Sequence, residues 1–251
     1  MRAATTAIAG LLVFSQPAGV QTPASDDWDL TTHSAGPLTL ASVDYAAGRS
    51  VRVQCLSGGL DVAVTGLTVP GPEEIELERR RGDGSVETTR WTRSPDGSLV
   101  SESAARFARS LRAPGRLVLR APGGGAGTSG LDLPLPGESA NLDRVLSDCG
   151  LSLVSALDGA VDVEPLIERF PNVPIPERAL DQQDAIRVEV DCLVVNSRLA
   201  GCVSERQTPA DPVAGQATAR EAEGKRVRVR EGADAEGGRV RIVVNGVRIR
   251  R

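Results

Sequence analysis

The chain has 251 residues, 40% of them hydrophobic and 25% charged, a globular balance that supports a buried core in one or two domains. Aromatic residues make up only 2%, so the core must be aliphatic, and platforms for stacking bases or sugars are not expected. The formal net charge of −4 argues against nucleic acid as a partner of the chain as a whole.

The first 24 residues have the pattern of a signal peptide. Arg2 supplies a positive charge, residues 7–14 (AIAGLLVF) are apolar, and small residues lead to a cleavage site after Ala24. The apolar run is too short to span a bilayer, which requires about 20 such residues. The sequence therefore predicts an exported periplasmic protein whose mature chain begins near Ser25, the alternative being a disordered start.

Residues 25–154 have the pattern of a β-rich domain. Two helices are predicted, over residues 101–112 and between Ser139 and Gly150, because apolar residues recur there at helical spacing. Together with the strands, they predict a sandwich-like β domain with two helices. Short runs of strand character, separated by glycine, proline and Asp-Gly turns, cover residues 38–44, 49–55, 60–65, 74–81, 86–91 and 116–121.

Two of the four cysteines flank a turn, and an oxidising compartment favours disulfide bonds between such residues. Cys192 and Cys202 lie in strand-like runs on either side of residues 196–198. A three-residue turn would place Val195 opposite Leu199 and the two cysteines opposite each other, within bridging distance. We expect a disulfide here, with free thiols or a metal-binding pair as the alternatives.

The other two cysteines are then left for each other. Cys55 ends a predicted strand, and Cys149 lies at the end of the second predicted helix. A bond between them would close a long loop and tie the two elements together. The alternative is two buried, unpaired cysteines.

Residues 155–184 are predicted to be a linker, because four prolines fall between positions 165 and 176 and stiffen the chain. Residues 185–251 are predicted to be a second, smaller domain. Its pattern is a β-hairpin over residues 186–204, then a helix, and then strands within residues 225–249. The sequence as a whole therefore predicts an α+β fold with two domains.

In this order of elements and in its cysteine-bearing hairpin, the region from 186 to 251 resembles the C-terminal domain of TonB, particularly divergent periplasmic versions. The resemblance implies a small hairpin, helix and strand fold that adds a peptide strand to an exposed sheet edge. An energy-transducing TonB also has a membrane anchor, a long proline-rich spacer and a Tyr-Pro motif. This sequence shows none of these, and its one tyrosine is Tyr45. A role in transmitting force is therefore not expected.

Arginines alternate with valine and isoleucine in residues 225–230 and 239–244. If these two strands pair, the arginines share one face of the sheet and form a surface for lipid headgroups or an acidic partner segment. The alternative is a solvated face balanced by nearby carboxylates. The candidate binding residues are Arg226, Arg228, Arg230, Arg239, Arg241 and Arg248.

No catalytic, metal-binding or cofactor motif is found in the sequence. His33 is the only histidine and lies in a polar stretch near the predicted mature N-terminus. The sequence thus predicts a non-catalytic periplasmic binding or envelope-accessory protein, with an envelope protein, a peptide segment or an anionic membrane surface as partner. The alternatives are an enzyme with an unrecognised site in the first domain, a degenerate TonB-type transport component, and a structural envelope protein.

Overall fold

A computed structural model describes residues 26–33, 37–69, 73–80, 84, 86–122, 130–176, 185–208 and 212–247. These residues form a β-rich α+β fold, which confirms the predicted fold class. Two clusters of buried aliphatic side chains divide them into an N-terminal lobe and a C-terminal lobe. The predicted signal peptide and Arg248 lie outside the described residues.

The N-terminal lobe is built on one antiparallel sheet of nine strands. Their order across the sheet is β1-β2-β3-β4-β7-β6-β5-β8-β9. The strands are β1 (Asp29–His33), β2 (Leu38–Tyr45), β3 (Arg49–Leu56), β4 (Gly59–Thr65), β5 (Glu74–Arg80), β6 (Val86–Arg93), β7 (Leu99–Ser101), β8 (Gly115–Arg120) and β9 (Gly130–Leu135).

Three of these strands, β1, β7 and β9, are not predicted by the sequence pattern. β1 is exposed along its whole length, so it has no alternation of buried and exposed residues to detect. β7 has only three residues. β9 does alternate, with Leu131 and Leu133 buried, but it directly follows the glycine-rich segment of residues 123–129.

The sheet curls so that strands far apart in its order meet, which makes the lobe sandwich-like. The hydroxyl of Tyr45 at the end of β2 donates a hydrogen bond to the carbonyl of Pro134 in β9, at 2.6 Å. Helix α1 (Ala104–Leu111) contacts β4 and β7, and helix α2 (Ala140–Asp148) contacts β1, β2 and β3. The predicted apolar face of α1 is buried, including Phe107, whose ring meets that of Trp91 edge-on at 4.9 Å.

A disulfide joins β3 to the residue that ends α2. It links Cys55 and Cys149, whose Cα atoms are 5.5 Å apart, and so confirms the predicted pair. Because 94 positions separate the two cysteines, this bond ties the beginning of the lobe to its end.

The C-terminal lobe contains a three-stranded antiparallel sheet and a small two-stranded one. In the larger sheet, β11 (Ala185–Val195) lies between β12 (Arg198–Thr208) and β14 (Arg239–Val247). Helix α3 (Pro212–Ala222) packs on β11 and β12. In the smaller sheet, β10 (Ile167–Arg169) pairs with β13 (Arg228–Val229).

The predicted three-residue turn of the hairpin is wrong, although the disulfide it was meant to position is confirmed. Val195 pairs with Arg198, so the loop contains only Asn196 and Ser197, both with positive φ, as a type I′ turn requires. Between Leu193 and Asp191 the register then shifts by one residue, with Gly201 in the left-handed region. This bulge restores the alignment that the Cys192–Cys202 bond needs.

Much of the predicted linker is packed rather than extended between the lobes. Val163, Ile167 and Val173 are buried in the C-terminal core, and residues 167–169 pair with β13. Aliphatic residues lie between the prolines of this segment, and they pack in the core of the C-terminal lobe. Residues 177–184 of the predicted linker lie outside the described residues.

Candidate functional site

The candidate arginines do not form one shared surface, because the predicted pairing of their two strands is wrong. β14 pairs with β11 along nine residues, whereas β13 pairs with β10. The longer partner gives β14 more backbone hydrogen bonds than the two-residue β13 could. Three of the arginines are exposed and two are largely buried: Arg226, Arg228 and Arg230 are the exposed ones, and Arg239 and Arg241 the buried ones.

The two buried arginines surround a buried carboxylate. Asp191 in the middle of β11 is 1% exposed. It accepts hydrogen bonds from Nη1 of Arg239 at 2.6 Å and from Nε of Arg241 at 2.9 Å. Strand alternation puts all three side chains on the face of the sheet that points away from the C-terminal core. That face is covered by the N-terminal lobe instead of solvent.

Arg241 also bonds directly to the N-terminal lobe. Its guanidinium donates to the carbonyl of Glu102 and, at 2.8 Å, to the hydroxyl of Ser103, the two residues that precede α1. One side chain thus connects β14, β11 and the start of α1. It is 13% exposed, so these bonds are largely shielded from water.

A second set of buried charges joins the lobes one turn further along α1. Arg109 donates to both carboxylate oxygens of Asp158, at 2.8 and 2.9 Å, and to Oε1 of Glu205 on β12 at 3.1 Å. Together with Asp191, Arg239 and Arg241, these residues are called the junction network below. Charged groups buried in this way require partners, because an unpaired buried charge is costly.

The surroundings shift the pKa values of the two buried carboxyls in opposite directions. Burial opposes ionisation of Asp191, but the guanidiniums of Arg241 and Arg239 outweigh it and lower the pKa of that carboxyl. Burial, together with the charge of Asp191, raises the pKa of Glu205, and Arg109 offsets this only in part. The Oε2 atom of Glu205 has no hydrogen-bond partner among the described residues.

We expect Glu205→Gln to remove a pH-dependent loss of stability. Because the pKa of Glu205 is raised, the folded chain keeps a proton that the unfolded chain releases, and folding weakens as pH rises above the ordinary carboxyl pKa. Glutamine keeps an oxygen for Arg109 without the charge. Urea unfolding at several pH values should give similar stabilities at low pH and a growing advantage for the variant towards neutral pH. Glu221→Gln, at an exposed position of α3, is the control, and a constant difference between Glu205→Gln and wild type would contradict the prediction.

Beside the junction network lies a cleft of about 540 Å³, called the junction cleft below. One wall is formed by β6 and the N-terminal half of α1, and the other by residues 160–165 with the two buried arginines of β14. Charges of both signs line it, and several are already paired: Arg90 lies 3.7 Å from Glu76 and 3.8 Å from Glu164. Two exposed apolar side chains also line it, Val86 at 57% and Val161 at 74% exposure.

The wall formed by β6 includes an open strand edge. β7 pairs only with residues 91–93 of β6, and beyond it the nitrogen of Glu102 donates to the carbonyl of Arg90. Backbone groups of a strand point to alternate sides, so those of Thr88 and Val86 point to the same side as those of Arg90. No strand within the described residues pairs with Val86 or Thr88 on that side, so the backbone N–H and C=O groups of these two residues are unpaired there, at the edge of the cleft.

The other wall contains an unsatisfied donor. Arg239 is 4% exposed and lines the cleft, and its Nε has no hydrogen-bond partner among the described residues. Buried donors are nearly always paired in folded proteins, so this atom is an exception among the described residues. The cleft has an open strand edge on one wall and charged side chains on the other.

Among the described residues, no group of three or more His, Cys, Asp or Glu side chains is placed to hold a metal ion. His33 is exposed on β1, at the end of the large sheet, and does not line the junction cleft. Within the same residues, no helix is both long and apolar enough to cross a membrane.

Sequence reasoning missed the central residues of this site. Asp191 and Glu189 are acidic side chains inside the otherwise apolar run VEVDCLVV, and charges in such a run indicate buried ion pairs. Arg106 and Arg109 lie on the predicted first helix, where arginines are ordinarily solvated, yet each is only 7% exposed. The first signal was present in the sequence, whereas the second depends on which lobe covers α1.

Comparisons with known proteins give no relative for this chain: no protein-family model, no curated protein and no solved structure matches it.

Proposed function

We propose that this chain is an exported, non-catalytic envelope protein that binds an extended polypeptide segment of a partner protein in the junction cleft. The observation that carries the proposal is the open edge of β6. Its unpaired backbone groups line a cleft large enough for several residues of an extended chain. The two disulfides support the export part of the proposal, since such bonds persist in oxidising compartments.

An extended segment can pair with the unpaired backbone groups along the edge of β6, which a compact ligand cannot do. Added as a strand beside β6, it pairs with the backbone groups of Thr88 and Val86, and its alternate side chains reach the two walls. Val86 and Val161 offer apolar contact at the rim. Where the segment meets the facing wall, its polar or charged side chains contact Asp162 and Glu164.

The proposed strand addition differs in location from that implied by the TonB resemblance. In the C-terminal sheet, the first residue of β14 is already occupied at its outer edge: Arg239 accepts from the nitrogen of Val163 and donates to the carbonyl of Val161. The proposed accepting edge is in the N-terminal lobe, and β14 contributes side chains to the opposite wall.

Thr88→Pro is expected to abolish peptide binding while leaving the fold intact. Proline removes the N–H of residue 88, which points into the cleft and not towards β5, so the pairing of β5 with β6 is kept. Thr88→Val is the matched control, because it changes the same side chain and keeps the N–H. A random peptide display library is selected on the immobilised chain, and the enriched peptides are titrated against wild type and both variants by fluorescence anisotropy.

Enriched peptides should bind wild type and Thr88→Val alike and lose at least about tenfold in affinity for Thr88→Pro, which is about 1.4 kcal/mol. Thermal unfolding verifies that both variants are folded. If the selection yields no specific peptide, or if Thr88→Pro binds the selected peptides as well as Thr88→Val does, the proposed function is wrong.

A further inference from the structure

A second pocket also lies against α1, and arginines make up five of its twelve lining residues. It has a volume of about 320 Å³ and lies between the C-terminal half of α1, the end of β5 and the start of β8. We call it the arginine pocket. Asp158 is the one acidic residue of its lining, and the arginines in its lining are Arg79, Arg80, Arg106, Arg109 and Arg116.

Part of this positive charge is already neutralised by neighbouring carboxylates. Arg116 donates to Asp132 at 2.7 Å, and Arg106 forms an ion pair with Glu87. Arg109 is held by Asp158 and Glu205 in the junction network. Arg80 has no such carboxylate partner among the described residues, so its positive charge is left over. The pocket is therefore a cationic site even with its neighbours in place.

Arg80 is the arginine best placed to bind a ligand. It is exposed at the end of β5, and its side chain forms no hydrogen bond or ion pair with the rest of the described chain. Its neighbour Arg79 is held against the ring of Phe107, with the guanidinium carbon 4.8 Å from the ring centroid. A cation–π contact of this kind holds a guanidinium in a fixed orientation.

Buried arginine in the same pocket makes the site rigid. Arg109 is 7% exposed, and its contacts to Asp158 and Glu205 use Nε and Nη2, so Nη1 forms no hydrogen bond within the described residues. The guanidinium is thus fixed in position while one nitrogen keeps its donors available. Donors held in advance bind an anion without the entropic cost of ordering a flexible side chain.

From these observations we propose that the arginine pocket binds a phosphate group. The guanidiniums converge from three elements, two from α1, two from β5 and one from β8. A tetrahedral oxyanion presents acceptor oxygens in several directions and can meet donors from all three, whereas a planar carboxylate presents two oxygens in one plane. The volume also exceeds what one phosphate group needs, which leaves room for the group that carries it.

Two chemical sources present the same phosphate oxygens, a small soluble phosphate compound and the headgroup of an anionic phospholipid. Two titrations distinguish them. Isothermal titration calorimetry with inorganic phosphate at low ionic strength measures binding of the free anion. Sedimentation with vesicles of phosphatidylglycerol and phosphatidylcholine, compared with phosphatidylcholine alone, measures binding of the headgroup.

The test variant is Arg80→Gln combined with Arg116→Gln, because both positions are exposed and neither lines the junction cleft. The control is Arg226→Gln combined with Arg230→Gln, which removes the same charge from exposed positions of the C-terminal lobe. We expect the test variant to weaken binding of the phosphate probe at least about tenfold and the control to leave it within about twofold. Added sodium chloride should weaken wild-type binding.

Binding of inorganic phosphate that the test variant loses assigns the site to a soluble phosphate compound, and binding of vesicles alone assigns it to a lipid headgroup. The proposal is overturned if neither probe binds, if both double variants weaken binding equally, or if acetate binds as tightly as phosphate. None of these outcomes depends on peptide binding at β6, so this inference and the proposed function can fail separately.

Discussion

Asp191→Asn is expected to lower the free energy of unfolding by about 3–5 kcal/mol, the cost of leaving buried charges without their partner. Asp191 is the only carboxylate within the junction network that bonds both Arg239 and Arg241. Asparagine has nearly the same shape but no charge, so the two neighbouring guanidiniums keep only their more distant partners, Asp162 at 3.3 Å from Arg239 and Glu189 at 3.7 Å from Arg241, in a region that water barely reaches. Urea unfolding followed by circular dichroism measures the loss.

Asp61→Asn provides the matched control. Asp61 on β4 also pairs across the lobes, with Arg206 of β12 at 3.0 Å, but both side chains are 32% exposed. An ion pair with this exposure contributes less than about 1 kcal/mol, so the control should lose little. Equal losses for the two variants would show that burial of the Asp191 cluster has no special weight at the junction.

Replacing both Cys55 and Cys149 by serine is expected to cost about 4–5 kcal/mol. On the chain-entropy account, a disulfide stabilises a protein by restricting the unfolded chain, and the effect grows with the length of the closed loop. Here 94 positions separate the cysteines, and the bond ties β3 to the end of α2. The free energy of unfolding of the double variant is compared with that of the oxidised wild-type chain.

The second disulfide serves as an internal comparison. Cys192 and Cys202 are separated by 10 positions, so the same account gives about 3 kcal/mol for their removal. The hairpin between them is also held by its own turn and backbone pairing. A larger loss from the short loop than from the long one would contradict loop closure as the source of the stability.

The two lobes meet through charged side chains more than through apolar ones. Their hydrophobic cores are separate clusters, and the contacts between the lobes are made largely by β12 with α1 and β4, and by Arg241 of β14 with the residues that precede α1. A charged junction of this kind requires every buried group to be paired. Among the described residues, the Nε of Arg239 and the Oε2 of Glu205 are the departures from that rule at the junction.

Much of the local structure followed from the sequence alone. Residues 49–55 alternate apolar and polar side chains, and the strand found there buries Val51, Val53 and Cys55. The same period of two requires Val240 and Ile242 to share one face of β14 and Arg239 and Arg241 to share the other. The pairing of the cysteines could also be predicted. Four cysteines in a chain that is predicted to be exported favour two disulfides, and the turn between Cys192 and Cys202 favours their pairing with each other.

Only the tertiary structure decided what those faces meet. Strand periodicity states to which side a side chain points, but not which segment covers that side, because coverage depends on residues far away in the chain. β14 pairs with β11 and not with β13, and this pairing places Arg241 beside Asp191. Ser103, which precedes Arg241 by 138 positions, then accepts its hydrogen bond. An arginine that its own strand pattern predicts to be solvated is thus buried, because α1 of the other lobe packs over that face and supplies its remaining partners.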